Sequence, residues 1–84
     1  MTLREAIIQA YVEFGLTRED AELTVRASDG FFPDVVPFTK SPVKPGFERQ
    51  FIEELKRIYR FMDANPEAVQ DAMRSEMARR AKLN

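Results

Sequence analysis

An all-α fold of four helices follows from three observations on this 84-residue chain. Apolar side chains recur every three or four residues in four separate stretches, and helix start and stop signals bracket those stretches. Every proline lies between the stretches or at an edge of one. Length limits the chain to a single domain over residues 1–84, because a chain this short hides only about 60–65% of its unfolded surface and cannot divide that between two cores. The expected order is a helical hairpin, a long proline-rich apolar crossover loop, then two further helices.

The first helix spans roughly 3–14. Thr2 and Glu5 match the capping box, in which the hydroxyl takes the amide three residues on and the carboxylate reaches back to the cap amide. Leu3, Ile7, Ala10, Tyr11 and Phe14 share a face, and Gly15 supplies the residue that closes the helix. Thr17 then opens a second helix over about 17–28, with Asp20 in the capping-box position and Leu16 and Ala21 placed as a hydrophobic staple. The run Ser28, Asp29, Gly30 reads as its stop. So short a connection makes the two helices neighbours.

An irregular crossover over 29–45 is the expectation for "DGFFPDVVPFTKSPVKPGF", since prolines at 33, 37, 42 and 45 remove backbone donors and push each preceding residue toward extended backbone. Two roles compete for Phe31, Phe32, Val35, Val36 and Phe38. They cap the open end of the helices, where burial contributes about 1.5–3 kcal/mol each, or some stay exposed as a docking patch. "PVKP" matches a polyproline-ligand pattern only four residues long and specifies little.

The third helix, about 46–63, carries the stripe Phe47, Phe51, Leu55, Ile58, Tyr59 and Met62, with Ile52 widening one side. This helix is expected to be the central packing element, with Glu53 and Arg57 pairing on its opposite face. Asn65 and Pro66 read as an N-cap and first-turn proline for a fourth helix over about 66–81. Its apolar stripe of Val69, Met73 and Met77 is thin. Met73 and Met77 are therefore expected to touch the third helix or to form a seam between two copies of the chain.

Residues 14–30, "FGLTREDAELTVRASDG", resemble the loop and second helix of ubiquitin-associated domains over those 17 positions. That family places a third helix close behind, where this chain has "FFPDVVPFTKSPVKPG", and no site residue carries over.

Composition narrows the chemistry. The chain has no cysteine and no histidine, which removes disulfides, Cys/His zinc sites and histidine acid–base catalysis. Its carboxylates, lysines, hydroxyls and two tyrosines form no recognisable constellation, so no catalytic, cofactor or metal residue is assigned and the expectation is a protein that is not an enzyme. No apolar run reaches the roughly 18–20 residues that cross a bilayer, and a cytoplasmic location with no membrane partner is expected. A net charge of −1 favours no polyanion globally, although residues 1–30 carry −3 and those from Arg74 onward +3. The leading functional expectation is a protein-interaction or adaptor module, with a regulatory role in view. It would use Phe31, Phe32, Val35, Val36 and Phe38, or Met73 and Met77. A nucleic-acid-associated regulator, dimeric and contacting phosphates through Arg74, Arg79, Arg80 and Lys82, is the alternative. Those cations also complement the macrodipole of the fourth helix.

Overall fold

A computed structural model describes residues 1–83 and shows a small all-α fold. Five helices follow one another: α1 (Leu3–Phe14), α2 (Arg18–Phe31), α3 (Val36–Thr39), α4 (Glu48–Ala64) and α5 (Pro66–Leu83). The capping box opens α1, with the Glu5 amide donating to Thr2 Oγ1 at 3.2 Å and the Thr2 amide to Glu5 Oε1 at 2.9 Å. Gly15 closes it at φ +133°, backbone that a side chain would strain, and the amides of Gly15 and Leu16 both donate to the Tyr11 carbonyl. Thr17 then caps α2 by accepting from the Asp20 amide at 3.1 Å.

The hub is α1, not the helix after the crossover. It packs against α2, α3 and α4, and its densest contact is with α4. Ala6 and Ala10 are fully buried one turn apart, and their small side chains let other elements approach closely. Around them gather Val43 and Ile52, with Leu3, Phe51, Leu55 and Tyr59 partly buried against the cluster. The buried face of α4 is therefore turned from the one read in the sequence. Ile52 lies at its centre, 2% exposed, whereas Phe47, Ile58 and Met62 lie at its exposed margin. One reason is Lys56, whose stem lies in the contact while its ammonium reaches Glu13 of α1 at 3.2 Å.

The stop read at Ser28, Asp29 and Gly30 does not end α2, and the prolines do not keep the crossover free of helix. α2 continues through Ser28, Asp29 and Gly30 to Phe31, because Arg4 of α1 grips the Asp29 carboxylate with two bonds of 3.1 and 2.6 Å. It ends when Pro33 forces Phe32 out of helical backbone. Within the crossover, Pro37 sits in the first turn of α3, where a missing amide donor costs nothing, so the segment is not wholly irregular. Beyond α3 the chain extends along the start of α1. The Leu3 amide donates to the Ser41 carbonyl at 2.9 Å and the Val43 amide to the Met1 carbonyl at 2.8 Å. Val43 is the one crossover residue in the core cluster.

Asn65 alone separates α4 from α5, because Asp63 and Ala64 stay helical. Its side chain caps the helix behind it rather than the one ahead, donating to the Phe61 carbonyl at 2.8 Å. The Asn65 backbone carbonyl accepts the Val69 amide at 3.2 Å and so begins α5. α5 packs chiefly on α4 and contributes no buried side chain among the described residues.

Candidate functional site

Two helices joined by a single residue diverge from their junction, and the wedge between α4 and α5 is lined with apolar side chains. Phe61 and Met62 come from the last turn of α4; Ala68, Val69, Ala72, Met73 and Glu76 come from one face of α5; Phe32 closes the far end from the crossover. The cleft holds about 370 Å³ and opens broadly to solvent. Phe61 is 61% exposed, and Met62 and Met73 are also exposed. Periodicity explains why α5 presents this face: Val69, Ala72, Met73 and Glu76 are spaced by three, one and three.

A latch at the C-terminal end of α5 holds the cleft in shape. The Arg80 guanidinium lies 4.9 Å from the centre of the Phe32 ring and binds the carboxylates of Asp34 and, at 3.0 Å, Glu76. It fastens α5 to the crossover by charge and by the ring face together. Hydrogen bonding from Arg80 holds the Asp34 carboxyl below its usual range, and Arg79 does the same for Glu76. The single carboxylate in the cleft wall is thus already committed to two guanidinium groups.

Phe32 also divides this cleft from a smaller inner cavity of about 140 Å³, walled by Ile7, Tyr11, Val25, Val35 and Val36 with Ser28, Asp29 and Thr39 at its polar side. The crossover side chains divide between half-buried and exposed positions. Phe32 and Val36 are half-buried against the helices, while Phe31, Val35 and Phe38 are exposed, at 57%, 43% and 67%. The structure brings Phe32 and Met73 to one cleft. Phe31, Phe38 and Met77 lie outside its lining, although all three are exposed.

The basic residues of α5 do not converge. Arg74 faces Asp71 at 3.7 Å, Arg79 pairs with Glu76, and Arg80 is engaged in the latch; Lys82 is exposed with no ion pair among the described residues. Charge is concentrated instead between α1 and α4. There the Glu13 carboxylate accepts from Arg49 at 2.6 and 2.7 Å, from Lys56, and from Gln9 at 2.9 Å. Arg49 foremost, then Gln9, drives its pKa far below the carboxylate range. Arg49 and Lys56 also hold Glu53, so the expected Glu53 to Arg57 pair does not form; Arg57 turns to Glu54. Beside this network Tyr11 and Tyr59 stack at 4.3 Å, and burial, more than the neighbouring phenol, pushes the Tyr59 hydroxyl upward.

Among the described residues no three Asp or Glu side chains gather as a metal site, and no helix is long and apolar enough to cross a membrane. Sequence periodicity did not single out Phe61. A single exposed aromatic carries little signal in a sequence, and only its meeting with α5 sets Phe61 apart. No family model, curated protein or solved structure matches this chain, so its site is read from its own geometry.

Proposed function

We propose that this chain is a non-enzymatic protein-interaction module whose docking site is the cleft between α4 and α5. The observation that carries this reading is the convergence of exposed Phe61, Met62 and Met73 with Phe32 in one continuous apolar wall. Large contiguous apolar patches on a small protein mark places where another macromolecule removes water. A small ligand would need polar groups to orient it, and the one polar wall group, Glu76, is already bound to Arg79 and Arg80. An open apolar cleft lined by Met62 and Met73 instead suits the apolar face of a helix, which methionine accommodates by changing rotamer.

A photoreactive side chain tests this when placed at Met73 in the intact chain and, separately, at Gln50, which is exposed near the start of α4 and about 16 Å along the helix from Phe61. Irradiation in the native cell is expected to join a polypeptide to position 73 and none to position 50. Equal labelling at both positions, or no polypeptide adduct at 73, overturns the reading.

A further inference from the structure

The molecule exposes more surface than its mass requires. Its accessible area is 6224 Å², whereas a folded monomer of 9.7 kDa shows about 5,100 Å². The excess is about 1,100 Å², more than the roughly 800 Å² that each partner contributes to a standard stable interface. The radius of gyration agrees: 13.7 Å against about 12 Å for a compact chain of this length. α5 contributes to the departure, being an 18-residue helix with no buried residue among those described.

We propose that the occupant of the cleft is a second copy of this chain, bound by antiparallel pairing of α5 with its counterpart about a two-fold axis near Met73. This rests on the protein-interaction reading above and names the partner.

Self-complementarity is the observation that selects a second copy. Residues 66–73 carry Glu67 and Asp71, a charge of −2, whereas 74–83 carry Arg74, Arg79, Arg80 and Lys82 against Glu76, a charge of +3. A helix with this polarity attracts an antiparallel copy of itself and repels a parallel one, and the macrodipoles add in the same sense. The apolar stripe obeys the same symmetry. Met73 stands midway between Val69 and Met77 and close to the midpoint of α5, so a perpendicular two-fold axis there lays the stripe along its own copy. Pairing would also cover Met77, 50% exposed and otherwise unpartnered.

The absence of cysteine makes a clean test available. In sedimentation of the purified full chain, a monomer–dimer equilibrium is expected across the micromolar range. Met73→Cys is expected to form a disulfide-linked dimer at least about tenfold faster than Gln50→Cys, by the higher effective concentration at a two-fold axis. Glu67→Lys with Asp71→Lys makes α5 basic throughout and should weaken self-association by about tenfold or more. Arg79→Glu with Lys82→Glu makes it acidic and should do the same. Mixing the two variants should restore dimers, which also shows that both remain folded.

A monomer at every concentration, equal disulfide rates at positions 73 and 50, or a mixture that associates no better than either variant alone overturns the proposal. If position 73 is photolabelled by a different polypeptide while the purified chain stays monomeric, the interaction reading stands and the second copy falls.

Discussion

At the scale of the residue, small side chains decide this fold as much as large ones. Ala6, Ala10 and Ala21 are fully buried, and among the described residues the only large side chain so nearly enclosed is Ile52. The α1 surface works by closeness rather than volume. Ile52→Ala should therefore cost about 2–5 kcal/mol in chemical denaturation by opening a cavity. Ala10→Leu should cost about 1–3 kcal/mol by the opposite route, since added methylenes have no space between α1 and its neighbours. Phe38→Ala, although it removes a larger side chain, should lie within about 0.5 kcal/mol of the parent because Phe38 is largely wet. A loss of several kcal/mol there would mean that Phe38 is covered in solution.

At the scale of the element, helix starts were legible because their signals are local. Thr2, Thr17 and Pro66 act within a few residues of themselves, and each marks the beginning of a helix. The continuation of α2 through Ser28, Asp29 and Gly30 was not legible because it depends on Arg4, twenty-five residues from Asp29, and the buried face of α4 was misjudged because Lys56 joins it through Glu13. Periodicity counts Lys56 as polar and cannot see its partner. The candidate site was half legible. Met73 was singled out by its four-residue spacing and Phe32 as an apolar side chain of the crossover, but their meeting with Phe61 depends on the one-residue junction at Asn65 and on the Arg80 latch.

The same charge network sets a pH response in α1 and α4. Glu13 has a folded pKa below its unfolded value, so its contribution is present at neutral pH and is lost as pH falls below about 4 toward the folded value. Glu53 and Asp29 are shifted the same way by Arg49 and Arg4. Thermal stability should thus fall below about pH 4. Glu13→Gln should be less stable at pH 7 and should show a shallower acid decline; an unchanged acid slope would show that the pairing contributes nothing in solution.

At the scale of the whole molecule, stability and assembly separate along the chain. α1, α2, α4 and the Val43 segment hold every buried side chain among the described residues, whereas α5 brings an exposed stripe and a charge gradient. Dimerisation binds the folded state only, so the melting temperature of the full chain should rise with protein concentration. A chain ending at Asn65 should still unfold cooperatively, with a melting temperature independent of concentration. Concentration dependence that survives this truncation would place the self-association elsewhere.

The short backbone pairing between Met1 and Val43 bears on the order of folding. It closes a loop of about forty residues, and such a closure costs roughly 3 kcal/mol of chain entropy before any core contact repays it. The α1 and α2 hairpin is joined by a tight connection and needs no such closure. We expect docking of the Ser41–Val43 segment beside Thr2 to fall in the rate-limiting ascent and α5 to join after it; a φ value near zero for Val43→Ala would overturn this order. Changes on the α5 surface should alter how long an assembled pair survives while leaving the speed at which each chain first folds untouched.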